Sequence, residues 1–213
     1  MATSGFRLAP QGLKPVVRQG AAQFSPATQI AYISEDTARS IGNNEVIQLG
    51  VEKPGFINAP ALDTVTNTSL AAYGVLAGVQ YKITQFPGEI RSLYWASGTS
   101  IARGTKIIAS IIHDVNMEYE IQTNSVAGLT QVQVGSYCNI RNINWIDGSE
   151  NGEDGITQGQ SSAVLDLTSI NPSPVFGTTG LYDVEIVGLS QRPRNEFGVP
   201  YNYAIVKFNS FRQ

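Results

Sequence analysis

Apolar and polar residues alternate with a period of two along several stretches of the chain, and this pattern predicts β-strands. Met117, Tyr119 and Ile121 alternate with Glu118, Glu120 and Gln122, and Val132 and Val134 alternate with Gln131 and Gln133. Tyr182, Val184 and Ile186 alternate with Asp183 and Glu185. In the last stretch, Ala204, Val206 and Phe208 alternate with Tyr203, Ile205 and Lys207; the second face is partly apolar too, which fits a strand buried on both sides. Residues 29–33, 45–49, 74–83 and 106–112 are further strand candidates. Turn signals at Gly42-Asn43, Pro54-Gly55, Pro87-Gly88, Gly98-Thr99, Asp147-Gly148 and Gly177 separate them. No stretch carries a sustained helical stripe, although residues 34–41 could form one helical turn capped by Ser34 or Asp36. The expected fold class is all-β: an antiparallel β-barrel or a jelly-roll-like sandwich.

Residues 1–28 break this pattern. They contain Pro10, Pro15 and Pro26 with little periodicity, and predict an extended N-terminal arm ordered by contact with something else. Phe6, Leu8, Leu13, Val16 and Val17 are its candidate apolar anchors, and Arg7, Lys14 and Arg18 its candidate charge complements. Residues 29–213 then form a single β domain, with a polar loop at about 145–162 expected to project from it.

Composition narrows the function. Charged residues make up 15% of the 213, against a usual value of about 25%, and Ser, Thr, Asn, Gln and Gly take their place. A neutral polar surface is readily desolvated, so it suits lasting contact with other proteins. Net charge is −3 and the pI about 5.2, without the clustered basic excess of a nucleic-acid binder, so no nucleic-acid partner is expected. The longest apolar stretches, 107–112 and 74–79, fall well short of the ~20 residues of a membrane helix, so no membrane partner is expected either. Residues 1–10 carry no apolar signal-peptide core, which predicts a protein made in the cytoplasm.

Candidate chemistry is sparse. Cys138 is a single cysteine in a strand-like setting and reads as a buried structural thiol; the one histidine, His113, falls at a strand end. Asp147, Ser149, Asn151 and Gly152 match the first half of a calcium loop, but Gln158 stands where a bidentate Glu is required. Glu118 and Glu120, like Asp183 and Glu185, read as the solvent faces of amphipathic strands. Tyr94 and Trp95 could form a sugar-stacking platform, though core or interface aromatics are the simpler reading. No cofactor, metal site or catalytic residue is expected.

The segment from Ile186 to Gly198 contains Gly188-Leu189-Ser190-Gln191-Arg192-Pro193-Arg194-Asn195-Glu196-Phe197-Gly198. It resembles a signature of the head decoration, or capsid cement, proteins of tailed bacteriophages. There a strand ending in Gly-Leu leads into Arg-Pro-Asp-Asn-Glu, and a last strand ends in a polar Asn, as residues 203–209 do here. Shorter blocks agree in order, at 31–33, 42–46, 74–81, 94–99, 119–122 and 161–166, so the resemblance spans roughly residues 29–209. Arg194 departs from it, standing where the family usually has Asp.

The resemblance implies a structural virion protein, not an enzyme, on the outer surface of a phage head, bound between major capsid subunits of the HK97-like type. It implies self-association, as a homotrimer first and a dimer second, with Arg192, Arg194, Asn195 and Glu196 at a subunit interface. Arg192 has two open readings, a bridge to a neighbour or a clamp within its own turn. The competing functions are a host- or carbohydrate-recognition module, resting on Trp95 and Trp145, and a hydrolase.

Overall fold

A computed structural model describes residues 11–16, 28–34, 40–49, 56–58, 73–114, 116–142, 159, 161, 163–171 and 183–209. These form twelve strands and one 3-10 turn: β1 (Lys14–Pro15), β2 (Thr28–Ile33), β3 (Val46–Leu49), β4 (Phe56–Asn58), β5 (Gly74–Tyr81), β6 (Ile90–Ser92), β7 (Ile107–Ile112), β8 (Glu118–Gln122), β9 (Tyr137–Asn142), β10 (Ala163–Asn171), β11 (Val184–Leu189) and β12 (Tyr203–Phe208). The all-β class expected from the periodicity is what the chain adopts.

The strands make two six-stranded sheets, ordered β3-β4-β2-β7-β5-β6 and β1-β8-β12-β11-β9-β10. The first curls until β3 also pairs with β5, through Val46 with Val75 and Ile47 with Gly74, so five of its strands form a ring. The second is brought round by a parallel bridge between Thr123, just past β8, and Leu165 in β10. Pairing between named strands is antiparallel except for β2 with β4.

Each sheet encloses its own core. Ile33, Ile47, Ile57, Leu76, Trp95 and Ile111 fill the first. Tyr119, Ile121, Leu165, Ile186, Val206 and Phe208 fill the second, with the Tyr119 and Phe208 rings meeting edge to face at 5.2 Å. Val46, Val75 and Ile112 belong to the second core although their strands belong to the first sheet, while their chain neighbours Ile47, Leu76 and Ile111 enter the first. Adjacent side chains on a strand point to opposite faces, so the ends of β3, β5 and β7 form a wall with a core on each side. Here the sequence shows unbroken apolar pairs in place of alternation, as a doubly buried strand requires.

Three expectations need correction. Residues 131–134 are not a strand: Gln131–Gln133 form the 3-10 turn, and Val132 is 86% exposed. Local hydrogen bonds override the alternation there, because the Thr130 N–H donates to Gln133 Oε1 at 2.8 Å and the Gln133 N–H donates back to the Thr130 carbonyl. Within the expected arm, residues 11–16 belong to the body: β1 pairs with β8, and Leu13 is completely buried in the second core. Its N–H donates to the Asn44 carbonyl at 2.8 Å, so this segment also ties the two sheets together. Asp183 is buried rather than on a solvent face. It stands just before β11, past the Val184–Cys138 pair with β9, and its carboxylate accepts the Ile140 N–H at 2.9 Å, continuing the ladder by side chain.

Most of the 145–162 loop and the calcium-like residues 147–158 lie outside the described residues, as does most of the 34–41 turn. The far end of that loop is anchored. The Asn43 N–H donates to the Gly159 carbonyl and the Ser161 N–H to the Asn43 carbonyl.

Candidate interaction surface

The connection from β11 to β12 runs through residues 190–202 and is held from beneath by side chains. Arg192 reaches back to Glu120 on β8, its Nε donating to Oε2 at 2.8 Å and its Nη2 pairing with Oε1. The Ser190 hydroxyl donates to the same Oε2. The guanidinium also lies over the Tyr203 ring, 3.9 Å from its centroid, so one face is covered by an aromatic while the edge engages a carboxylate. Burial alone would push the Glu120 carboxyl up. The Arg192 and Ser190 hydrogen bonds, with the charges of Arg192 and Lys14, outweigh it and hold the carboxyl below its ordinary value.

Asn195 supplies the second tie. Its Nδ2 donates to the carbonyls of Ser190 at 2.7 Å and Tyr203 at 2.8 Å, and its Oδ1 accepts the Tyr203 N–H at 2.8 Å. Asn202 supplies the third, toward the loop after β8. Its Oδ1 accepts the Leu129 N–H and the Thr123 hydroxyl, and its Nδ2 donates to the carbonyls of Leu129 and Glu196. The two loops are further joined by the Gly198 N–H to the Leu129 carbonyl and the Tyr201 N–H to the Ser125 carbonyl. Gly128 is required at this seam: its φ is +63°, and a Cβ there would collide with the Val199 carbonyl oxygen.

What this framework presents outward is short and mixed. Arg194, Glu196 and Phe197 are exposed, and Val126 and Val132 stand exposed on the partner loop and the 3-10 turn that follows it. Arg194 holds a φ of +62°, uncommon for a side chain of this size, and the bonded residues on either side keep it there.

The turn set expected from the sequence therefore divides. Arg192 and Asn195 face into the chain's own structure, and the intramolecular-clamp reading of Arg192 describes its geometry. Arg194 and Glu196 face solvent. Of the N-terminal set, Leu13 cannot be a surface anchor because it is a core residue. Lys14 is exposed and pairs in register with Glu120, while Val16 is half-buried with its N–H donating to the Glu118 carbonyl. Phe6, Arg7, Leu8, Val17 and Arg18 lie outside the described residues. The N-terminal strand and the C-terminal turn thus meet at one residue, Glu120, with Lys14 and Arg192 both acting on it. Sequence reasoning placed Glu120 only on a solvent face; its partner is 72 positions away, and no local pattern signals it.

Other candidates resolve plainly. Trp95 is 1% exposed and meets Tyr81 edge to face, so it is no sugar platform; Trp145 lies outside the described residues. Cys138 is buried, and burial pushes its thiol up to about 12 despite a hydrogen bond with Ser169. His113 stacks on Tyr73 at 4.3 Å and bonds the Tyr73 carbonyl through Nδ1. Among the described residues, no three His, Cys, Asp or Glu side chains converge as a metal site would need.

Comparison with known proteins finds no matching family model, no matching curated protein and no matching solved structure.

Proposed function

We propose that this protein is a capsid cement, or decoration, protein that binds the outer surface of a phage head between major capsid subunits and stabilises the shell without catalysing a reaction. The observation that carries the reading is the pinned turn. Asn195 and Asn202 satisfy its backbone from below, Arg192 ties it to Glu120, and Arg194, Glu196 and Phe197 are left facing solvent. A tip ordered before contact loses little conformational freedom on binding. One aromatic beside one cation and one anion can recognise a neighbouring protein surface, and the low overall charge limits the cost of desolvating the surroundings. The resemblance of residues 186–198 to the decoration-protein signature supplies the kind of neighbour. Many weak, symmetric contacts over a shell would then act together.

The test is cosedimentation with purified heads. The protein is expected to sediment with intact heads and to be shed by mild denaturant before the shell breaks. Arg194→Glu combined with Phe197→Ser is expected to reduce occupancy without changing the melting temperature. Failure of the wild-type protein to associate with heads overturns the reading.

A further inference from the structure

The outer wall of the first sheet differs in charge from the rest of the molecule. Residues 73–112 carry four basic side chains, Lys82, Arg91, Arg103 and Lys106, against one acidic, Glu89, a net +3. Residues 113–213 carry five basic against eleven acidic, a net −6. The basic four are all exposed, and the ion pairs among the described residues, Arg192–Glu120 and Lys207–Glu185, lie on the other sheet.

Strand register gathers three of these cations, Lys82, Arg91 and Lys106, on one face. Tyr32, Ile108, Gln80 and Arg91 are direct cross-strand partners on β2, β7, β5 and β6. Their chain neighbours Ile33, Ile107 and Val79 are buried in the core, so this row faces outward. Lys106 joins it, its Nζ lying 4.6 Å from the Tyr32 ring centroid. Lys82 joins it as the exposed residue after Tyr81, which turns inward onto Trp95. The next row is Ile30, Ser110 and Gly78, again direct partners. Ile30 is 73% exposed, and Leu93, just past β6, is 61% exposed. A row of cations therefore runs beside a shallow floor of small residues with a large aliphatic side chain toward either side.

We infer that this face docks an acidic protein segment, whose carboxylates meet Lys82, Arg91 and Lys106 and whose aliphatic side chains cover Ile30 and Leu93. Charge selects the partner: a cationic face attracts carboxylates and disfavours basic segments. The anchors select protein over nucleic acid. Binding a single strand uses free aromatic faces for stacking, whereas the Tyr32 ring is covered by Lys106 and tilted against Phe56 at 6.0 Å. The surface stands on the sheet opposite the C-terminal turn and does not depend on a shell role.

The experiment is fluorescence anisotropy with a labelled random copolymer of glutamate and leucine, using the full chain. Poly-glutamate and oligothymidylate of equal charge are run beside it. The copolymer is expected to bind, to weaken as salt rises, and to bind more tightly than either comparison polymer. Lys82→Glu with Arg91→Glu should weaken it at least tenfold. Ile30→Ser with Leu93→Ser should weaken it several-fold while leaving the salt dependence unchanged. Arg194→Glu, on the other sheet, should have no effect. Melting curves confirm that these exposed-site variants fold. The inference is overturned if the copolymer does not bind, if Lys82→Glu with Arg91→Glu leaves binding intact, if Arg194→Glu weakens it equally, or if oligothymidylate binds more tightly.

Discussion

The Asn195 side chain pairs with Tyr203 as a second backbone would, donating from Nδ2 to the Tyr203 carbonyl and accepting the Tyr203 N–H at Oδ1, both at 2.8 Å. The amide therefore extends the sheet past the point where β11 ends. It is buried, so its removal takes away the acceptor of the Tyr203 N–H and the donor to the Ser190 carbonyl with no compensating water, while the Tyr203 carbonyl keeps the Ser190 N–H at 2.9 Å.

Asn195→Ala is accordingly expected to destabilise the protein by about 2–4 kcal/mol, since each buried polar group left unsatisfied costs roughly 1–3 kcal/mol. Urea denaturation measures this. A loss of less than half a kcal/mol would mean that the turn relaxes without the amide.

Arg192→Ala is expected to lower the melting temperature. Loss of a charge-assisted hydrogen bond costs roughly 1.5–3 kcal/mol, and a domain of this size shifts by about 2–4 °C per kcal/mol. Attachment to heads should weaken only as the turn loosens. An unchanged melting temperature with lost attachment would show that Arg192 serves a neighbour instead of its own turn.

The Glu120 carboxyl, held below its ordinary value, makes stability depend on acid. A carboxylate with a depressed folded pKa contributes its full stabilisation above the unfolded value of about 4.3 and loses it as pH falls through the folded value. Glu120→Gln should therefore be less stable than wild type near pH 7, and the two should converge as pH drops below about 4. Thermal melts across that range give the difference; a gap that stays constant with pH would rule out the carboxylate as its source.

Leu13→Ala should cost about 2–5 kcal/mol, the range for truncating a buried leucine, because Leu13 is a core residue and not part of a free arm. For the same reason, deleting residues 2–25 removes core and a strand along with any attachment sequence. Chemical denaturation of the point variant separates the two contributions.

The Cys138 thiol, pushed up to about 12 and buried, should resist an aromatic disulfide reagent at pH 8 in the folded protein and react at once in denaturant. Fast reaction in the native state would place the thiol at the surface.

Strand existence was legible wherever one face meets a core and the other meets water, as along residues 117–122. Legibility failed in physically distinct ways elsewhere. Val132 and Val134 mimic a strand, yet a reciprocal Thr130–Gln133 hydrogen bond sets the backbone. The short strands β1, β4 and β6, of two or three residues, are too brief to show a period and exist through their neighbours. Pro15 reads as a breaker, but it lies in an edge strand where a missing N–H is tolerated. At the surface, Arg192, Arg194, Asn195 and Glu196 were legible as a group, but their division into inward and outward residues was not. It depends on Glu120 and Tyr203, which only the folded sheet brings beneath them.

The partition of β3, β5 and β7 bears on how the molecule comes apart. Val46, Val75 and Ile112 are cross-strand neighbours whose far sides support the other core. Should the first ring open, the second would lose part of its lining at the same moment, and should the second open, three large aliphatic side chains of the first would be wetted. Neither half has a free-standing intermediate of low energy to fall back on. Calorimetry should accordingly record a single cooperative transition, and a protein that lets go all at once or not at all has little occasion to expose its strands to a neighbour while still partly intact.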